Sequence, residues 1–194
     1  MPKNAPVAGH PAEGSVVTIE PLRTLEEIAA VRSVIISTRD KAMFSLGINS
    51  NLRASDLLSL RADQIDWVGN SLCLRERKTG KKRTIPLGAN VMALLADCIP
   101  ADGVGLLFPS NKGGKPLTIS AWNNRIKLWC SKAGLKGNYG ARTIRKTFAR
   151  IQHDVYGVPI VNISMELNHS SLRETYFYLC LTPPEQAALF ANQL

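Results

Sequence analysis

The 194-residue chain has no run of about 18 apolar residues, so nothing in it reads as a membrane-spanning helix. Its start, MPKNAPVAGHPAEGS, lacks the apolar centre of a secretory signal and is rich in Pro, Gly and Ala. Residues 1–19 are therefore expected to form a flexible leader or linker. Cys73, Cys98, Cys130 and Cys180 are scattered, without a CxxC pair. His10, His153 and His169 stand apart from any cysteine pair, which argues against a zinc site. Reduced thiols and a cytoplasmic location are the expectation. No acidic cluster suits Mg²⁺, which argues against a two-metal nuclease, and no cofactor is expected. There is no internal repeat. No RNP-like aromatic motif is present, so an RNA-binding role has little support.

What the chain does have is apolar content and positive charge. Hydrophobic residues make up 45%, enough at this length for one substantial core that buries roughly 70% of the unfolded surface. The net charge of +9 creates a field that draws polyanions. Double-stranded DNA is the first candidate partner and an anionic membrane surface the second.

The pattern along the chain is mostly helical. TLEEIAAVRSVI opens with a capping box, Thr24 with Glu27, followed by helical spacing of Leu25, Ile28, Ala29, Val31 and Ile35. RDKAMFSLGI predicts a second helix, NSN breaks it, and LRASDLLSLRADQI predicts a third. SLCLRERKTGKKRTIPL changes to alternating runs around KTGKK, a β-hairpin with a basic tip. Helices are predicted again in ANVMALLADCI, in TISAWNNRIKLWCSKAGL ending near Gly134, in ARTIRKTFARIQHDVYG, in VPIVNISMELNH behind Pro159, in LNHSSLRETYFYL and in PPEQAALFANQL. GLLFPSNKGGKPL reads as a loop. Trp122 and Trp129 share a helix face as core residues, Trp67 belongs to a turn or the core, and His153 is structural. The fold class is mostly α with one small antiparallel sheet.

A basic protein that breaks a phosphodiester without metal needs a nucleophile, cations that hold the phosphate, and an acid for the leaving oxygen. Arginine suits the clamp because its planar fork donates two hydrogen bonds and stays charged. Lysine can serve as the acid. A tyrosine, with an ordinary pKa near 10, needs a strongly cationic pocket to attack as phenolate. Tyr176 and Tyr178 lie two residues apart on a predicted helix and so point in nearly opposite directions.

LRASDLLSL, RKTGKKRTIPLG, LFPS, ARTIRKTFA and LNHSSLRETYFYL, in this order, resemble the boxes of the tyrosine recombinase (phage integrase) catalytic domain. The likeness runs from about residue 20 to the C-terminus, so residues 20–194 are expected to form that domain. The resemblance implies a role for each matching position. Arg53 and Arg145 would clamp the phosphate, and Asp56 would support Arg53. Lys78 would protonate the 5′-hydroxyl leaving group, His169 would hydrogen-bond the scissile phosphate, and Tyr178 would be the nucleophile. Strands would be cut and rejoined through a 3′-phosphotyrosine, as in integration, excision or inversion. Arg75, Arg77, Lys81, Lys82, Asn123, Arg125 and Lys127 are candidate DNA contacts. The last helix would dock on a neighbouring protomer, giving self-association on DNA.

The sequence departs from the family pattern in four places. Arg142 stands where His or Lys is usual three residues before the second clamp arginine. Arginine is a poor base, but it can stabilise phosphate or phenolate charge. Asn168 replaces the Gly usual before the late His, and Ser50-Asn51 stands where Thr-Gly is common. The usual N-terminal DNA-clamping domain is not expected ahead of residue 20, which would make the chain either an excised fragment or like the short fimbrial-switch recombinases. The alternative to a recombinase is a catalytically weak DNA-binding module of the same fold.

Overall fold

A computed structural model describes residues 18–101, 103–111 and 114–181. Helix α1 spans Leu25–Val34, α2 Thr38–Ser50 and α3 Ala54–Leu58. A 3-10 turn (Ala62–Gln64) leads into the strands β1 (Ile65–Asp66), β2 (Ser71–Arg75) and β3 (Lys82–Pro86). Five helices follow: α4 (Ala89–Ala96), α5 (Ile119–Lys132), α6 (Thr143–Asp154), α7 (Ile160–Leu167) and α8 (Leu172–Tyr178). The sheet is antiparallel in the order β1-β2-β3, and Leu72 pairs with Ile85. The fold is mostly α with one small antiparallel sheet. Trp67 lies in the turn between β1 and β2. The expected leader, apart from Thr18 and Ile19, and the expected last helix lie outside the described residues.

Local chemistry sets the boundaries. Thr24 caps α1 by accepting from the Glu27 N–H, while the Glu27 carboxylate accepts from Arg23 N–H rather than from Thr24 itself. The stretch predicted as one helix over 52–65 divides into α3 and the 3-10 turn. After α3, Leu60 C=O and Ala62 N–H bond to Leu107 N–H and Gly105 C=O, so this segment pairs with a distant loop and leaves the helical ladder. β1 was not expected, because two residues are too few to show alternation.

Most of the core is one cluster centred on α2, α5 and the sheet, with Phe44, Leu46, Leu57, Leu72, Trp122 and Ile126 fully buried. Trp122 and Trp129 pack edge to face, ring centres 5.6 Å apart, and Phe44 meets Trp129 in the same way. A second cluster, Ala149, Ile163, Leu167 and Leu179, lies under α6, α7 and α8, with Tyr178 against it. α2 and α6 approach closely at Gly47, where a Cβ would stand 2.5 Å from Ile144 Cγ2. That contact brings the end of α2 beside the start of α6.

Buried polar residues on α6 answer a backbone need. Residues 19–22 enter without regular structure, so their peptide groups must find partners elsewhere. Thr147 Oγ1 accepts from Leu22 N–H, Thr143 Oγ1 donates to Glu20 C=O, and Lys146 Nζ donates to Ile19 C=O at 2.7 Å.

Candidate active site

Residues from four of the five boxes picked from the sequence line one cavity. Arg53 is the N-cap residue of α3, just past the end of α2. Arg145 sits on α6, three residues after Arg142. Both arginines line a cavity of about 200 Å³ together with Glu76, Lys81, Arg83 and Asn168. α8 carries Tyr178 beside this region, and the His169 and Tyr178 rings meet edge-on with centres 5.0 Å apart.

Each of the two arginines has fixed partners. Arg53 Nη1 donates to Glu76 Oε2 at 2.8 Å. Glu76 also accepts from Thr79 Oγ1 at 2.7 Å and Arg83 Nη1 at 3.0 Å. Burial alone would raise the Glu76 carboxyl, but the Thr79, Arg83 and Arg53 hydrogen bonds and the Arg53 charge outweigh it and hold it down at about 2. Arg145 Nε donates to Asn51 Oδ1 at 3.0 Å, and burial lowers the Arg145 pKa. Arg83 Nη2 donates to Glu166 Oε1 at 2.5 Å.

Tyr178 is half-buried. Burial pushes its phenol up, while Arg145, Arg142 and Arg53 each pull it down, so the net direction is upward. The Lys146 ammonium stands 5.0 Å from the ring centre. Tyr176 is half-buried and, among the described residues, has no side-chain hydrogen bond or ring contact. The structure thus separates the two tyrosines, with Tyr178 the one facing His169. His169 Nδ1 pairs with Thr175 Oγ1 at 2.9 Å. Its pKa is lowered by burial and by Arg145, against the raising effect of Glu174. The departure at Arg142 has a plain consequence: the side chain is exposed at the start of α6 and contributes charge toward Tyr178.

Other sequence candidates fall differently. Asp56 is buried, and its Oδ1 accepts from Arg77 N–H at 3.0 Å, so it steadies the hairpin, and the carboxylate on Arg53 is that of Glu76. Lys78 is exposed at the hairpin tip, whereas Lys81 borders the cavity and donates to Asn168 Oδ1 at 3.2 Å. Arg75 Nη1 donates to Gly80 C=O, and the Arg77, Lys82 and Lys127 side chains are exposed. Asn123 Oδ1 accepts from Ala141 N–H and Arg125 pairs with Asp40 at 3.2 Å, so both of these expected DNA contacts are engaged inside the fold.

The phage integrase family profile matches residues 22–183 of this chain. The chain belongs to the phage integrase family. It is 30% identical over 169 residues to the probable integrase/recombinase YoeC of Bacillus subtilis, covering 83% of this chain and 89% of that one. It is 29% identical over 153 residues to the tyrosine recombinase XerD of Shewanella oneidensis, covering 74% of this chain and 49% of XerD. The integrase-family chain thus spans about half the length of that Xer relative. Among solved structures, XerA recombinase superposes with a TM-score of 0.67 at 20% identity, over 94% of this chain and 65% of that one. A λ integrase dimer bound to a core site gives 0.64 at 19% identity, over 87% of this chain and 61% of that one. These two likenesses establish the fold.

Sequence reasoning missed three residues of the site: Glu76, Glu166 and Asn51. Glu76 had a signal, since it is the one acid inside the otherwise basic run RERKTGKKR. Asn51 stood out only as a departure from the family's Gly, and Glu166 had no signal, because their roles depend on two helix ends meeting in space.

Proposed function

We propose that this chain cuts and rejoins double-stranded DNA through a 3′-phosphotyrosine at Tyr178. One observation carries the reading: a tyrosine edge-on to a histidine, within the field of two arginines that share one cavity. Arg53 and Arg145 would hold the nonbridging oxygens and offset charge as the phosphorus becomes five-coordinate. The Tyr178 oxygen bonds to phosphorus, the 5′ oxygen leaves, and a hairpin lysine gives it a proton. The phenol proton needs an acceptor with a free lone pair, which Arg142 is not. His169, kept from charging by burial, supports that role. The phosphotyrosine conserves the bond energy, so no nucleotide triphosphate is consumed.

The free protein holds Arg53 on Glu76 and keeps the Tyr178 phenol protonated. This favours, as the second reading, a module that binds DNA without cutting it. Incubation with fragmented genomic DNA from the source organism, followed by SDS, separates the two. An SDS-resistant adduct at one locus, lost in Tyr178→Phe and kept in Tyr176→Phe, is the expected result. Loss with Tyr176→Phe alone would overturn the assignment, and salt-sensitive noncovalent binding without any adduct would favour the module.

We also propose self-association on DNA through the C-terminal residues. An apolar hollow of about 230 Å³ between α6 and α7, lined by Phe148, Ala149, Val158, Ile163 and Leu167, supports an acceptor for such a segment. Deleting residues after 182 should reduce assembly on DNA in analytical ultracentrifugation, and an unaltered assembly would refute it. Among the described residues no helix is long and apolar enough to cross a membrane, and a DNA substrate would place the activity in the cytoplasm.

A further inference from the structure

Both positions where this chain carries Asn in place of the family's usual Gly adopt the left-handed conformation. Asn51, at the end of α2, has φ 53°, and Asn168, at the end of α7, has φ 58°. Glycine adopts that conformation without strain, and Asn is among the few other residues that tolerate it. A helix stop therefore needs only the backbone. The Asn51 side chain does more. It is 1% exposed, and each of its polar atoms is used. Its Oδ1 accepts from Arg145 Nε at 3.0 Å. Its Nδ2 donates to Glu166 Oε1 at 3.1 Å and to Glu166 C=O at 3.3 Å.

The orientation of the amide is dictated by its neighbours. A guanidinium only donates and an ionised carboxylate only accepts, so the oxygen must face Arg145 and the nitrogen Glu166. An arginine here could answer Glu166 but not Arg145, and glycine would meet neither. From Glu166 the chain of bonds continues through Arg83 to Glu76 and Arg53. Arg145 and Arg53 are thus the two ends of one chain of six side chains, linked through Asn51, Glu166, Arg83 and Glu76.

We propose that Asn51 is a positioning residue for the phosphate clamp, fixing through Nε the Arg145 guanidinium, whose Nη2 also reaches Leu167 C=O at 3.5 Å. With Nε occupied by Asn51, rotation about the long side chain is arrested, and the fork is presented in one orientation before a phosphate arrives. Asn51 touches neither phosphate nor the reacting oxygen. The proposal rests on the reading of Arg145 as a clamp residue.

The test is Asn51→Gly, which keeps the left-handed backbone and removes only the side chain. The expected outcome is a folded protein that binds DNA as before but forms the SDS-resistant adduct about 100-fold more slowly. In ¹⁵N NMR of the DNA-free protein, the Arg145 Nε–H should exchange with water faster than in the unsubstituted protein. Combining Asn51→Asp with Glu166→Gln restores an acceptor toward Arg145 and a donor–acceptor pair toward position 166, and should recover most of the rate. An adduct formed at the original rate by Asn51→Gly would overturn the proposal. So would an Arg145 Nε–H that stays as protected as before. If the unsubstituted protein forms no adduct, the recombinase reading falls while the exchange measurement still decides: lost protection supports Asn51 holding Arg145, and retained protection overturns it.

Discussion

The helical wall of the cavity and the tip of its hairpin carry the same kind of charge in opposite ways. On the wall, Arg145 is half-buried and tied to Asn51, and Arg53 is tied to Glu76. At the tip, Lys78 and the Arg77 side chain are exposed to solvent. The difference follows from the cost of desolvation: a cation that leaves water needs an anion or an amide oxygen, whereas an exposed one needs nothing. It also divides the work. On the proposed reading, a clamp that meets a phosphate in one geometry would be set beforehand, while a tip that follows the DNA backbone would be left free.

The contrast is sharpest at Glu76, the residue on which the hairpin and the wall both depend. Its carboxyl lies at about 2 in the folded protein against an ordinary value of 4.5. A depressed folded value means stability that is fully present above the unfolded value and lost as pH falls from about 4.5 toward 2. The shift corresponds to about 3 kcal/mol at neutral pH. Glu76→Gln should therefore lower the urea-unfolding free energy by about that amount at pH 7, because Arg53 and Arg83 lose a shared anion. Near pH 2 the two proteins should converge. Equal stability at pH 7 would mean that the carboxylate does not tie wall and hairpin together.

His169 offers a smaller effect on the wall side. Burial, with help from Arg145, disfavours its charged form. A histidine whose folded pKa is lowered adds stability above its unfolded value, near 6.5, and that stability is lost as pH falls through the window below it. An NMR titration should place the His169 midpoint below 6.5. Glu174→Gln should lower it further, since that carboxylate is the group that raises it. A midpoint above 6.5 would place His169 in a wetter or more acidic setting than the fold shows.

Much of this was legible beforehand, for physical reasons that differ by region. Helix α5 was readable from spacing, because Trp122, Ile126, Trp129 and Cys130 fall on one buried stripe. The hairpin was readable from alternation around KTGKK. Arg53, Arg145, His169 and Tyr178 could be picked from ordered boxes; the two arginines line one cavity, and the His169 and Tyr178 rings meet edge-on. The break after α3 was not readable, since it depends on pairing with residues 105–107. Nor were the bonds among Asn51, Glu166, Arg83 and Glu76. A short motif fixes residue types along one segment, whereas these side chains meet from segments up to 115 residues apart. Asn123 and Arg125 show the same limit, because a polar face on α5 looks free until Ala141 and Asp40 fold against it.

The hairpin lysines should have the least effect on stability and the most to say about the tip. Lys78→Ala removes an exposed side chain, and Lys81→Ala removes one exposed bond to Asn168, so each should alter the unfolding free energy by no more than about 0.5 kcal/mol. Their chemistry should differ. The proton donor to the 5′ oxygen is needed only while that atom leaves as a poor leaving group. Replacing this oxygen by sulfur in the DNA gives a thiolate that leaves without a proton. Cleavage lost in the donor's variant should therefore return on the sulfur-containing strand. Cleavage lost through weaker DNA contact should not. Lys78→Ala is expected to be rescued and Lys81→Ala is not, because Lys81 is anchored to Asn168 and Lys78 is free to turn inward when DNA covers the tip. The reverse result would assign the proton to the lysine already standing at the cavity, and would move the acid from the free tip to the hairpin residue anchored on Asn168.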